Sequence, residues 1–102
     1  MATGLEHEFE LAMRDIYRRA ERECGYRPTY FQNMISERGG LSTAQALLVG
    51  KPSDGFTKLY MLGRLDLSVE VVALDPKWRS LFTDAELAEA RRRLKGTEFA
   101  HL

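Results

Sequence analysis

From Leu5 to Cys24 the apolar residues include Leu5, Phe9, Ala12, Met13, Ile16, Tyr17, Ala20 and Cys24. Steps of three and four gather them on one stripe of a helix. Glu6, Glu8 and Glu10 crowd its first turns and Arg18, Arg19 and Arg22 its last, in the sense the helix dipole favours. Gly25 offers the stop and Pro28 the turn beyond it. Thr29–Arg38 predicts a short second helix burying Phe31, Met34 and Ile35 and ending at Gly39-Gly40. Ser42-Thr43-Ala44-Gln45 has the form of a capping box and predicts a third helix from Thr43 to about Val49.

Gly50–Gly55 is the clearest loop in the chain. Phe56, Leu59, Tyr60 and Leu62 predict a fourth helix stopping at Gly63. Leu65–Val71 alternates apolar and polar residues as a strand does, yet Leu67, Val71 and Leu74 also form a helical face, with Asp66 as cap. A lone strand would leave its backbone groups unpaired, so a helix is expected there. Asp75-Pro76 opens one turn around Trp78. Thr83-Asp84-Ala85-Glu86 is a second capping box and opens a helix over about 84–95 that buries Leu87, Ala90 and Leu94. The expectation is an all-α fold: one domain over residues 1–102, a compact bundle of five to six short helices, the longest spanning about 5–24.

Composition narrows the function classes. Lys+Arg and Asp+Glu number 15 each, so the net charge is zero. The general attraction to nucleic acid is therefore missing, and any such binding needs a local patch. The single cysteine, Cys24, cannot form a disulfide within the chain, and no apolar run approaches the ~20 residues of a membrane span. The first residues lack the basic-then-apolar pattern of a secretory signal, so a cytoplasmic protein without membrane contact is expected.

The residue inventory offers little chemistry. Cys24, His7 and His101 show no metal-ligand spacing, so no metal or cofactor is expected. Cys24 lies on the apolar stripe, where a small buried hydrophobe is the ordinary role. Gly50-Lys51-Pro52-Ser53 fails as a phosphate-binding loop, because Gln45 stands where a glycine is required and Pro52 separates Lys51 from Ser53. Its amides instead suit the Ser53 or Asp54 side chain at the start of a helix. The carboxylate pairs Glu6/Glu10, Glu21/Glu23 and Glu86/Glu89 sit among basic neighbours, as solvated helix faces do. No catalytic residues emerge, and an enzyme is the less favoured reading.

Two binding features remain. Arg14, Arg18 and Arg22 stack four apart on one helix face, and Trp78, flanked by Lys77 and Arg79, is expected to be partly exposed. These four are the candidate residues for a protein partner. The alternative is nucleic-acid binding, through the arginine face or a helix-turn-helix-like unit over Tyr30–Val49. Ser42, Thr43 and Gln45 would stand at the start of its reading helix, with Lys51 beyond. Against this, that helix contains no Lys or Arg, and Gly39 stands where the motif usually buries an apolar side chain.

Several stretches together carry a resemblance: ECGYRPTYF at Glu23–Phe31, KPSDGFTKL at Lys51–Leu59, GRLDLSVE at Gly63–Glu70, WRSLFT at Trp78–Thr83, and Glu86–Arg91. They are similar to a widespread family of small uncharacterised bacterial proteins, found free-standing or as tails on larger proteins. The family has no assigned activity, so no functional residue is carried over. The resemblance implies helical structure through Leu65–Leu74, a bacterial or phage origin, and use alongside other proteins. Together with the bare inventory, it makes a non-enzymatic interaction module, in a defence or mobile-element setting, the expected function.

Overall fold

The computed structural model describes residues 4–102 as six α-helices joined by short turns, with no strand among them. The helices are α1 (Gly4–Cys24), α2 (Thr29–Arg38), α3 (Gly40–Leu47), α4 (Asp54–Met61), α5 (Val69–Ala73) and α6 (Asp84–Leu94). Helix α1 is the spine. Its stripe buries Phe9, Met13, Ile16 and Ala20, and α2 and α3 pack along it. At Phe9 the ring meets Trp78 and Phe82 edge-on, with centroids 5.4 and 5.5 Å apart. Leu67, Leu74 and Leu94 complete the centre of the core, each at most 1% exposed. A radius of gyration of 12.7 Å matches the ~13 Å of a single domain of this length.

Local capping explains several boundaries. Thr83 and Glu86 form the expected reciprocal box at the start of α6, with bonds of 3.1 and 2.8 Å. Ser53 accepts from the Phe56 amide at 3.2 Å, so α4 begins inside the expected loop. The segment after Gly63 is neither a strand nor one helix. Leu65–Leu67 makes a single 3-10 turn, and Ser68 then caps the short α5. Asp66 is not the cap, because its carboxylate is held by Arg64.

The capping box at Ser42–Gln45 does not form. Helix α3 starts at Gly40, and the Ser42 hydroxyl accepts instead from Arg38. The donor group at the start of α3 is satisfied from another helix: the Gly40 amide reaches Glu10 Oε1 at 3.1 Å. That approach needs a glycine. A Cβ at position 40 would lie 2.8 Å from the Glu10 Cα, a backbone atom that cannot swing aside. Glu10→Ala is expected to lower stability by about 1 kcal/mol, the usual cost of a lost cap. Gly40→Ala is expected to lower it by about 1–3 kcal/mol through overpacking. Urea unfolding of the two variants checks the order.

Candidate functional site

A groove of about 490 Å³ lies between α1, α2, α4 and the turn leading into α5. Each wall follows from a local feature. Ile16 and Ala20 reach it from the α1 stripe, and Phe56 and Leu59 from the inner face of α4. The turn after Gly25 and Pro28 brings Tyr26, Tyr30 and Phe31 to one side; Leu47, Pro52 and Ser53 form another. Helix α2 buries only Ile35 fully. Phe31 stays half-buried because it faces this groove rather than the closed core. Tyr30 lies at the rim with 75% of its surface exposed. Tyr60, Met61 and Leu62 at the end of α4 are also exposed large apolar residues.

The polar lining includes Tyr26, Arg27, Thr29, Ser53 and Asp54. A Cβ at Gly55 would stand 3.5 Å from the Tyr26 hydroxyl. Burial, and then the Asp54 charge, push the Tyr26 phenol above its ordinary pKa, so it remains a neutral O–H donor. Ser68 and Glu70 also line the groove, 2% and 3% exposed.

Glu70 belongs to a buried network centred on Arg93, whose side chain is fully buried. Arg93 Nη1 donates to Glu70 Oε2 at 2.9 Å and to the Leu47 carbonyl at 2.7 Å. Its Nη2 donates to the Gly50 carbonyl at 3.0 Å and its Nε to Glu89 at 2.7 Å. One side chain thus ties α5 and α6 to the end of α3 and to the loop that walls the groove. Burial pushes the Glu70 carboxyl above its ordinary range, with the Arg93 bond opposing.

A second cluster closes the end of α1. Arg64 bonds Glu23 at 2.7 Å and Asp66 at 3.0 and 3.1 Å, and its Nη1 lies 3.8 Å from Cys24 Sγ. Bonds from Arg19 and then Arg64 hold the Glu23 carboxyl at about 2, and bonds from Arg92 and then Arg93 hold Glu89 at about 2. A folded-state value below the ordinary 4.5 means stability that is present above that pH and lost as pH falls toward about 2. Urea midpoints are therefore expected to drop on acidification through this window. Glu89→Gln should flatten part of the decline.

The sequence-selected residues fall in different places. Trp78 is a core residue, 7% exposed against Phe9, and does not present a partly exposed ring. Arg14 and Arg18 share a shallow cleft between α1 and α2, whereas Arg22 lies outside it beside Glu23 at 3.5 Å. Ser42 is turned to Arg38, Thr43 is fully buried and Gln45 is half-buried. Gly40, the first residue of α3, is buried against Glu10 of α1. Lys51 is exposed in the loop. Cys24 is half-buried and does not line the large groove, although Pro52–Gly55 do. Among the described residues no cluster of three or more His, Cys, Asp or Glu is placed to hold a metal, and no helix is long and apolar enough to cross a membrane.

No family model, curated protein or solved structure matches this chain. Sequence reading missed the groove because its walls come from separated segments that each resemble ordinary core. It also missed Arg93, although the signal was present: Leu87, Ala90 and Arg93 recur at three-residue steps along the stripe that α6 buries.

Proposed function

We propose that this protein is an interaction module whose groove receives an apolar-anchored segment of a protein partner. The observation that carries the reading is the groove itself, apolar over most of its lining and continued at its rim by the exposed Tyr30. Soluble monomers seldom leave connected apolar surface open unless something covers it. The volume suits two or three side chains, and the exposed aromatic at the rim extends the contact beyond what a small molecule would use. The Tyr26 hydroxyl offers a hydrogen bond to a peptide backbone lying along the groove. Resemblance to proteins that occur as tails on larger ones agrees with a role beside other proteins, in a bacterial defence or mobile-element setting.

The test is selection from a displayed random-peptide library against the folded protein, with a Gly55→Met variant as the counter-selection. The added side chain would project toward Tyr26 and Ser53 and fill one end of the groove. Recovery of peptides with aromatic or aliphatic anchors that bind the variant at least about tenfold more weakly is expected. Peptides without apolar anchors, or equal binding to both proteins, would remove the reading.

A further inference from the structure

Between α1 and α2, Arg14 and Arg18 sit one turn apart at a second depression of about 100 Å³, with Tyr17, Gln32 and Ile35 completing its lining. Ile35, 2% exposed, belongs to the hydrophobic core. The polar side chains around it are two guanidiniums, a phenol and a carboxamide, all able to donate hydrogen bonds. The Arg18 side chain is exposed and makes no ion pair or hydrogen bond with another described residue. Arg14 has one long contact, 3.5 Å to Glu10 Oε2, and the other oxygen of that carboxylate is engaged by the Gly40 amide. Like charges at this spacing repel mildly, and an oxyanion between them reverses the sign of that interaction.

The geometry points to a binding site for a single phosphate-type oxyanion at Arg14 and Arg18, with Tyr17 and Gln32 as neutral donors. A polyanion fits less well. Asp15 and Glu21 flank the row, Glu21 pairs with Arg27 at 3.3 Å, and the chain carries no net charge to attract a run of phosphates. The anion is a terminal phosphate group, arriving either as the monoester on a phosphorylated side chain or as free inorganic phosphate. This site shares no residue with the groove, so it stands or falls separately from the proposed peptide binding.

The test follows the arginine Nε–H signals of isotope-labelled protein at low salt during titration with sodium phosphate, a short phosphoserine peptide, its unphosphorylated counterpart and a single-stranded oligonucleotide. Saturable shifts of the Arg14 and Arg18 signals with phosphate or phosphoserine are expected, and none with the unphosphorylated peptide. Arg18→Ala should weaken binding roughly tenfold or more while leaving the thermal midpoint unchanged. Tighter binding of the phosphopeptide identifies a phosphorylated partner, and equal affinities identify free phosphate. Absence of saturable shifts, unchanged affinity in Arg18→Ala, or tighter binding of the oligonucleotide per phosphate would overturn the assignment.

Discussion

Arg93→Met is expected to lower stability by about 3–5 kcal/mol, the largest effect of any charged-residue substitution in this chain. The reason is what it leaves behind. Glu70 is 3% exposed, and the only bond its carboxylate takes from another described residue comes from Arg93. Removing the guanidinium leaves a buried carboxyl unpaired and strips bonds from the Leu47 and Gly50 carbonyls. The double variant Arg93→Met/Glu70→Leu should recover much of the loss, since a buried pair replaced by apolar groups is often close to neutral. Recovery will be incomplete, because the two carbonyls still lack their donor. Urea unfolding of the three variants measures this, and an Arg93→Met loss below about 1 kcal/mol would be the value of a surface pair.

Trp78→Ala is expected to lower stability by about 3–5 kcal/mol, a cavity effect at the ring that meets Phe9 edge-on. Affinity for any partner should change little in the fraction that remains folded. The two outcomes separate sharply: an exposed anchor would weaken binding with stability nearly unchanged. Thermal unfolding, together with binding measured well below the midpoint, checks both halves.

These two residues also show what the sequence made legible and what it hid. Helix α1 was readable because its stripe, its charged ends and Gly25 all agree. The α6 box was readable because both bonds run between residues three apart. The α3 start was misread because its acceptor, Glu10, lies 30 residues away, and a local pattern at Ser42 looked sufficient. Trp78 was misread because Lys77 and Arg79 frame it. Lys77 lies over the ring face, and Arg79 donates to the Leu74 carbonyl, so the flanking charges accompany a buried ring. Leu65–Val71 stayed ambiguous because Ser68 breaks it into a 3-10 turn and a short helix, and each piece satisfies half of either pattern.

The candidate site was less legible than the fold for a physical reason. An open groove uses the same aromatic and aliphatic residues as a closed core, and only their exposure in three dimensions separates the two. Phe31 and Tyr30 are neighbours in sequence, yet one lines a wall half-buried and the other stands 75% exposed at the rim. The arginine row was visible as a spacing, but its division was not: Arg14 and Arg18 share a cleft that Arg22 does not reach.

The proposed peptide groove is tested most directly by comparing two exposed apolar residues of similar standing. Tyr30 is on the rim, whereas Leu11, 55% exposed, lies outside the groove. Substitution of either by alanine should leave stability within about 0.5 kcal/mol. The measurement is the affinity of a library-selected peptide for the two variants. Tyr30→Ala should weaken it about five- to thirtyfold and Leu11→Ala not at all. Equal affinity for Tyr30→Ala and the unsubstituted protein would contradict the account.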